Sequence, residues 1–519
     1  GFNTMSQLDP RAYNILHATA NMGGGTFAVA GSEDELSNAV YNAVRSVIPK
    51  LNSFSVASAN SLQTTQYTTS EAFVTRFKPN ESFPWEGHVF EAFVFDEKLN
   101  GCREGGAAPD VTCQGHTVSS DLDGDDKCTS TFLVDKDCNR IAEDAATGDF
   151  LKAGTTTAAN LPWDAGRVLS DSTKTGYRSA DEAATNARSL FTWIAGSRVD
   201  LTAANAATLL PYLNMDSPWC TTLLTRLGIV SASPLLECAK EVIYFVRGWD
   251  VLDQDGDGCA GPGKTNAAGC QRGVKGEERD RAQDGRTTPL FWKLGDIAHS
   301  SPAVVAAPVH EFLCATGLEK QCKPTLFSTP LFPKMTPMPT SGTTVLDTYN
   351  VFRAAALNRN RVLYVGGNDG ILHAFDAGSY VSTSSELSTD QYTPGTGEEM
   401  WGFIPIDVLP RLKNLLDGHQ YLVDASVMAQ DVWVDGSVQQ DGTTTDLTTA
   451  TDRDGVKQAH EFHTIIVFGR RTGGNQYTAL DVTAPGKPQG SGSATASTKG
   501  RPTLLWNYPE GCAEDADLL

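Results

Sequence analysis

Residues 361–376 read RVLYVGGNDGILHAFD and indicate the fold of the C-terminal part of the chain. Two apolar runs flank the turn sequence NDG at 368–370, and Asp-Gly between apolar runs is a strong short-range signal for a β-hairpin. A tryptophan-bearing run follows at Glu399–Pro405, and a short apolar run precedes the hairpin at Val304–Ala306. We therefore predict β-strands in these runs, arranged consecutively along the chain.

A comparable unit recurs further along the chain. It has an apolar run at Thr464–Gly469, a Gly-Gly turn, a second run at Tyr477–Asp481 and a tryptophan-bearing run at Leu504–Pro509. Radial repetition of such units is how a β-propeller hides its sheet edges, and a propeller has about four to eight blades. The sequence predicts an incomplete β-propeller over residues 289–519, with the other blades following residue 519.

The N-terminal third changes pattern twice. Residues 1–50 read as helix, strand and helix, which is typical of the C-terminal end of an α/β domain whose remainder precedes Gly1. Residues 51–100 alternate apolar and polar side chains, which predicts a small β-sheet domain. Residues 101–178 are rich in Gly, Asp, Thr and Cys, so we expect an irregular insertion held by disulfides.

Residues 179–248 show helical periodicity. A capping box at Ser179 and Glu182 precedes an apolar face over Ala183–Ile194, and helical patterns return around Ala203–Leu213 and Leu235–Val246. Residues 249–288 form a linker that contains an Asp-rich loop. The predicted fold class of the whole chain is therefore mixed and mainly β, with β-rich and helical segments before the incomplete propeller.

Charge and cysteine content limit the possible functions. The chain has 519 residues, with 41 basic and 62 acidic side chains and a net charge of −21. Such an acidic protein is a poor partner for nucleic-acid phosphates and a plausible one for divalent cations. Eleven cysteines indicate an oxidising compartment. No run of about 18 apolar residues suggests a transmembrane helix, and no signal peptide is evident, so we interpret the chain as a fragment of a secreted protein.

The cysteines fall into close neighbours, and pairing of neighbours is the simplest hypothesis. The sequence leaves their connectivity open. Cys512 has no neighbour, and we expect its partner beyond residue 519. The neighbouring cysteines are Cys102 with Cys113, Cys128 with Cys138, Cys220 with Cys238, Cys259 with Cys270, and Cys314 with Cys322.

The clearest candidate site is the loop DQDGDGC at 253–259. Asp253, Asp255 and Asp257 stand at alternate positions, a glycine occupies the sixth position, and the carbonyl of Cys259 would occupy the seventh, as in an EF-hand calcium loop. The twelfth position holds Lys264 instead of a glutamate, so a carboxylate from elsewhere must complete the site. The candidates are Asp250, Glu277, Glu278 and Asp280. The alternative is a solvated acidic turn closed by a Cys259–Cys270 disulfide.

A second Asp-rich loop reads DLDGDDKC at 121–128. Asp121, Asp123 and Asp125 repeat the alternating carboxylates before a cysteine, although Asp126 replaces the sixth-position glycine. We predict calcium as the cofactor of both loops. A third run, DRDG at 452–455, lies in a Thr- and Asp-rich segment, and a polar surface loop is the simpler interpretation there.

Nucleophilic catalysis finds little support, because no G-x-S-x-G sequence occurs. His299 lies among Ser and Asp in a predicted turn, where a histidine more often forms structural hydrogen bonds. His460 and His463 precede a strand and lack the helical spacing of a zinc protease. Trp85, Trp401 and Trp506 are predicted to pack in cores or between blades. We therefore predict a non-enzymatic protein.

Several motifs, taken in order, resemble the type IV pilus tip-associated PilY proteins. The match is densest over about 289–510, and the opening 50 residues resemble the end of the von Willebrand factor A domain of many members. The motifs are LGDIAHSSP at 294–302, YVGGNDGILHAFD at 364–376, GEEMWGFIP at 397–405, YLVD at 421–424 and GGNQYTALDVT at 473–483.

The resemblance implies an extracellular protein at the pilus tip or outer cell surface, secreted through the periplasm. It implies minor pilins as partners, adhesion to a host or abiotic surface, and a role in pilus assembly and in resisting retraction. Family members carry a calcium loop in a late blade, and the resemblance places that blade beyond residue 519. The integrin-type Arg-Gly-Asp of some members is absent, since Trp249 follows Arg247-Gly248.

Two alternatives share the same sequence features. The blade motifs also resemble the tryptophan-bearing repeats of quinoprotein dehydrogenases, which use the same propeller fold for different chemistry. Against that alternative, the chain has no pair of adjacent cysteines. The third hypothesis is a structural spacer that calcium and disulfides stiffen. Loss of surface attachment after deletion of residues 289–519, with pili still made, would argue against the spacer.

Overall fold

The computed structural model describes residues 56–58, 71–78, 85–106, 108–144, 150–253, 278–279, 291–308, 340–341, 344–345, 348–380, 392–434, 459–484 and 502–509. The predicted α/β unit at 1–50 lies outside these ranges. The predicted disulfides Cys259–Cys270 and Cys314–Cys322, and Cys512, also lie outside them.

The regular secondary structure of the described residues is mainly β-strand, as predicted. The strands are β1 (Val56–Ser58), β2 (Glu71–Lys78), β3 (Glu86–Asp96), β4 (Asp110–Cys113), β5 (His116–Ser119), β6 (Thr131–Val134), β7 (Ile141–Glu143), β8 (Phe150–Lys152), β9 (Trp163–Asp164), β10 (Leu190–Ile194), β11 (Ser197–Asp200), β12 (Ala303–Val305), β13 (Thr340–Ser341), β14 (Thr344–Val345), β15 (Arg361–Gly366), β16 (Leu372–Gly378), β17 (Glu399–Phe403), β18 (Met428–Trp433), β19 (Phe462–Phe468), β20 (Tyr477–Asp481) and β21 (Thr503–Tyr508). The α-helices are α1 (Ala165–Ser170), α2 (Ala206–Leu209), α3 (Ser217–Arg226), α4 (Pro234–Arg247) and α5 (Thr348–Ala355).

The first sheet joins two segments that the sequence prediction separated. Its strand order is β1-β2-β3-β6, and β9 pairs with β3. Strands β6 and β9 come from residues 101–178, which we had predicted to be an insertion outside the sheet. The reason is that β3 is 11 residues long, so β6 pairs with its C-terminal half and β9 with its centre.

Two four-stranded antiparallel units follow, here named the first unit (β12, β15, β16, β17) and the second unit (β18, β19, β20, β21). Their registers match residue by residue. Ala374 pairs with Trp401 in the first unit and Ala479 with Trp506 in the second, and each strand pair is interrupted by a bulge directly after that alanine. The repeated sequence pattern therefore produces a repeated structure.

The helical prediction for Ala183–Ile194 is wrong. Leu190 to Ile194 form β10, which turns through Ala195 and Gly196, both at positive φ, and pairs with β11. Strand β10 also adds in parallel to β17, where Leu190 pairs with Gly402, so the first unit becomes part of a six-stranded sheet. The run LFTWI consists largely of aromatic and β-branched residues, which favour a strand when a sheet edge is present.

The helices at 203–247 agree with the predicted periodicity. Helix α4 buries Val242, Ile243 and Phe245. It ends at Gly248, whose φ of 116° is readily adopted only by glycine. Residues 179–248 are consequently helical only in their second half, and their first half contributes strands to the sheet of the first unit.

Two buried apolar clusters lie on the two faces of the first unit. On one face, Leu363, Val365 and Phe375 pack with Phe73 and Val89 of the first sheet in one buried cluster. On the other face, Tyr364, Trp401 and Phe403 belong to a larger buried cluster with α4 and with residues of the second unit. The first unit is therefore covered on both faces, which places its strands at the centre of the described structure.

Neighbour pairing is wrong for the first four cysteines. The structure joins Cys102 to Cys128 and Cys113 to Cys138, with Cα–Cα distances of 5.4 and 6.0 Å. Strand β4 ends at Cys113 and forms a hairpin with β5. The two disulfides interleave along the chain, because Cys113 lies between Cys102 and Cys128 and bonds to Cys138 beyond them. Cys220 and Cys238 are joined as predicted, at 5.7 Å, and connect α3 to α4.

Candidate metal centre

The Asp121 loop is a tight turn organised by its own carboxylates. Asp121 accepts hydrogen bonds from the backbone N–H groups of Gly124 and Asp126 at 3.0 and 3.1 Å. Gly124 and Asp126 both have positive φ, at 72° and 57°, and Gly and Asp tolerate this conformation better than most residues. Asp121 therefore holds the loop in a tight turn.

Glu97 completes a group of three carboxylates with Asp121 and Asp123. One ligand oxygen from each of these residues lies within 4.8 Å of the other two. Glu97 comes directly after β3 and is fully buried, and it accepts backbone hydrogen bonds from Leu122 at 2.9 Å and from Ser130 at 3.1 Å. Sequence reasoning missed Glu97 because it precedes the loop by 24 residues and belongs to no motif.

Asp125, the third predicted ligand, is not in this group. Its carboxylate accepts a hydrogen bond from the backbone N–H of Lys127 at 2.9 Å and lies 3.4 Å from the Lys127 ammonium. That backbone hydrogen bond is the main cause of a lowered pKa at Asp125, which keeps its carboxylate ionised. The structure thus replaces Asp125 with Glu97 in the candidate ligand set.

The three carboxylates fit a hard cation. Calcium takes six to eight oxygen ligands from carboxylates, carbonyls and water, and three converging carboxylates supply half of that set. The Cys102–Cys128 and Cys113–Cys138 bonds hold the segment that contains the loop. Glu97, Asp121 and Asp123 are therefore the residues that could hold calcium in this part of the chain.

The Asp253 loop falls almost entirely outside the described residues. The structure does not describe Asp255, Asp257 and Cys259, so their part in a calcium site stays a prediction. Asp253 is described, is partly buried and has φ of 51°. Glu278, one of the carboxylates proposed to complete the site, instead binds Lys293 at 2.7 Å and accepts a hydrogen bond from Ser179 Oγ at 2.6 Å.

The candidate histidines have structural partners. His299 Nδ1 lies 2.7 Å from the Asp424 carboxylate, which also accepts a hydrogen bond from Thr472 Oγ1 at 2.8 Å, so the pair connects three loops. His463 is buried in β19 against Asp481 at 2.8 Å. The structural interpretation of His299 is therefore consistent with its contacts.

The three tryptophans differ in their surroundings. Trp401 is 2% exposed and packs between Phe191 and Tyr364, as predicted. Trp85 stacks on His419, with ring centroids 4.0 Å apart. Trp506 is 41% exposed, so it does not pack in a core of the described residues, and its packing against a further blade stays a prediction.

A buried charged centre lies at the edge of the first unit. Arg188 donates to both oxygens of Glu399 at 2.7 and 2.8 Å, and His373 bridges Glu399 at 2.9 Å and Asp369 at 3.1 Å. Burial opposes charge on His373, but the adjacent Asp369 and Glu399 carboxylates raise its pKa to about 9. Arg188 also donates to the carbonyls of Val246 and Arg247. This centre therefore connects β10 and the end of α4 to the first unit.

Comparison with known proteins identifies one group of relatives. The chain is 32% identical over 161 residues to "Type IV pilus biogenesis factor PilY1 homolog" of Xylella fastidiosa, a match that covers 30% of this chain and 10% of that protein. It is 28% identical over 231 residues to "Type IV pilus biogenesis factor PilY1" of Pseudomonas aeruginosa, covering 43% of this chain and 13% of that protein. No family model matches the chain.

One solved structure is also similar in sequence. The Pseudomonas aeruginosa PilY1 C-terminal domain is 26% identical, with a TM-score of 0.15, over 31% of this chain and 20% of that one. No helix among the described residues is long and apolar enough to cross a membrane. The matched part of this chain spans only about a tenth of the length of its curated relatives. Over that part, the chain is similar to proteins named type IV pilus biogenesis factors.

Proposed function

We propose that this chain is part of a secreted protein of the type IV pilus tip, which acts in pilus assembly and retraction control and in surface adhesion. The observation that carries the proposal is its similarity to proteins named type IV pilus biogenesis factors. Minor pilins are the proposed partners at the tip, and a host or abiotic surface is the proposed target of adhesion. The proposed role is non-enzymatic.

We further propose that the first and second units are two blades of a β-propeller. Their matching register supports this, because propeller blades are repeated four-stranded antiparallel sheets. The exposed outer face of the second unit also supports it, since the equivalent face of the first unit is buried against another sheet. The von Willebrand A-like unit proposed for residues 1–50 rests on sequence alone.

Calcium is the proposed cofactor of both Asp-rich loops. In the Asp121 loop, the proposal rests on the convergence of Glu97, Asp121 and Asp123. In the Asp253 loop, it rests on the spacing of the three aspartates. Three carboxylates so close together repel one another in the absence of a cation, which gives calcium a direct stabilising role.

Calcium binding can be tested separately at each loop. Saturating calcium, at about 100 times the dissociation constant, should stabilise the folded state by about 2.7 kcal/mol per site and raise the melting temperature. We expect Asp255→Ala to remove the part of that rise that the Asp253 loop contributes, and Asp123→Asn to remove the part that the Asp121 loop contributes. Asp125→Asn is the matched control, because Asp125 binds Lys127 instead of joining the carboxylate group. An unchanged calcium response in Asp255→Ala or Asp123→Asn would refute the corresponding site.

The pilus role is tested in the bacterium that encodes this chain. In-frame deletion of the gene should reduce the number of surface pili and the attachment of cells, and the wild-type gene should restore both. Pilus number and attachment that stay at wild-type levels after deletion would contradict the proposal. A bound quinone, seen by absorbance of the purified protein and accompanied by dehydrogenase turnover, would contradict the non-enzymatic role.

A further inference from the structure

We propose that Glu91 is a proton-operated latch in the joint between the first sheet and the first unit. In this proposal the joint is closed while Glu91 carries a proton, and opening the joint releases that proton to water. The latch is independent of the calcium loops and goes beyond the proposed pilus function.

The latch is built from three charged side chains on three strands. Arg361, at the start of β15, donates from Nη1 to Glu71 of β2 and reaches Glu91 Oε1 of β3 at 3.4 Å. Its Nε donates to the carbonyl of Ala377 at 2.7 Å. The guanidinium lies between the rings of Phe73 and Tyr392, at 5.3 and 5.2 Å from their centroids. Arg361 is therefore fixed in place, and both carboxylates must adapt to it.

The charges at this point do not balance. Two carboxylates face one guanidinium in a buried site, and Glu91 is 0% exposed. Burial is the main cause that raises the pKa of Glu91 to about 8, and the Glu71 carboxylate raises it further. Arg361, the Trp163 indole and the more distant Lys136 act in the opposite direction. A proton on Glu91 removes the excess negative charge at neutral pH.

The latch lies where the two sheets meet. Phe73 and Val89 share a buried apolar cluster with Leu363, Phe375 and Ala377 of the first unit. Backbone contact supports the same joint, because the N–H of Gly87 donates to the carbonyl of Leu294 at 3.1 Å. Separating the sheets would expose this cluster and hydrate Glu91 together, so proton release and opening are coupled.

The sign of the pH effect follows from this coupling. In the open joint, Glu91 is hydrated and its pKa returns to about 4.3, whereas in the closed joint it is about 8. The closed joint therefore binds one more proton than the open joint between these values. Each pH unit in that window should favour opening by about tenfold, and the effect should level off above about pH 8.

The test measures access to the apolar cluster as a function of pH. Ala377→Cys places a thiol in the cluster, in a residue that is 0% exposed. Peptide mass spectrometry identifies the labelled residue and measures its labelling rate. Protection at each pH is the labelling rate of the same residue in the denatured chain divided by its rate in the folded chain. We expect protection to fall about tenfold per unit between pH 6 and pH 8. Adding Glu91→Gln should abolish this dependence, because glutamine mimics the protonated side chain and does not titrate.

Two further variants distinguish a latch from simple packing. Glu71→Gln removes the second carboxylate, which raises the pKa of Glu91. The pH above which protection stops falling should therefore be lower in this variant, and a merely structural role of Glu71 would not produce that shift. Glu143→Gln is the control, since Glu143 of β7 pairs with Arg76 of the first sheet instead of with Arg361, and it should leave the profile unchanged. Equal pH dependence in the parent and the Glu91→Gln variant would overturn the proposal. An unmoved profile in Glu71→Gln would also contradict it.

Discussion

The first and second units have the same strand register but very different surroundings. Trp401 of the first unit is 2% exposed, and its register equivalent in the second unit, Trp506, is 41% exposed. Phe403 and its equivalent Tyr508 are 1% and 68% exposed. The same local pattern thus gives the same strands and bulge, while neighbouring elements decide which side chains are buried.

Two neighbours account for the difference. Strand β10 extends beside β17 and brings Phe191 against both Trp401 and Phe403, with centroid distances of 5.9 and 5.7 Å. The second unit covers the same face, and Phe468 contacts Phe403 with centroids 6.4 Å apart. Among the described residues, no strand is paired in this way with the outer edge of β21. The side chains on this face of the first unit are therefore buried by contacts with neighbouring elements.

Replacing the paired tryptophans should give the largest contrast. Trp401→Ala removes a buried ring from the main cluster and should lower the free energy of unfolding by about 3–5 kcal/mol. Trp506→Ala removes a half-exposed ring and should cost about 1 kcal/mol or less. Chemical denaturation of the two variants measures both values. Equal losses would show that the two units are covered to the same extent in solution.

Charge in the interior gives the second contrast. Glu399 of the first unit is buried against Arg188, whereas the register equivalent in the second unit is the uncharged Leu504. Glu399→Gln leaves Arg188 as an uncompensated buried charge and should cost about 3 kcal/mol. Leu504→Gln, at a partly exposed position, should cost about 1 kcal/mol. The comparison fails if the Leu504 variant melts at the lower temperature.

The third contrast is pH dependence. His373 and Thr478 occupy equivalent positions, but only the histidine titrates, with its pKa raised to about 9 by Asp369 and Glu399. A raised histidine pKa stabilises the fold fully below about pH 6.5, and this contribution of about 3 kcal/mol is lost as the pH rises through 9. Thermal melting from pH 6.5 to 9.5 should show a smaller fall in His373→Gln than in wild type. Parallel curves would exclude a charged His373.

The sequence was sufficient to predict all four strands of the first unit and three of the second, because apolar runs and Gly-rich turns are local signals. It missed β18 (Met428–Trp433), whose polar residues give no clear apolar run. It failed at Leu190–Ile194, where the apolar residues also fit a helical face and a distant sheet edge decides for a strand. It did not distinguish the 41% exposed Trp506 from the buried Trp401, because burial depends on neighbours that local patterns do not encode.

The candidate metal centre was predicted in part for the same reason. The Asp121 loop bends as its motif indicates, so Asp121 and Asp123 were accessible to sequence reasoning. Glu97 was not accessible to sequence reasoning, because only the position of the end of β3 in the folded chain brings Glu97 close to the loop. The crossed disulfides Cys102–Cys128 and Cys113–Cys138 depend on the β4–β5 hairpin between them, and spacing along the chain does not reveal that geometry.

The proposed function places this chain in a protein of the type IV pilus tip. Immunogold electron microscopy of pili sheared from the native bacterium, with antibodies raised against this chain, tests it most directly. We expect gold particles at one end of individual pili, and no labelling of pili from the deletion strain. If pili of the native bacterium carry no label and its protein is found only inside the cells, the proposal is contradicted.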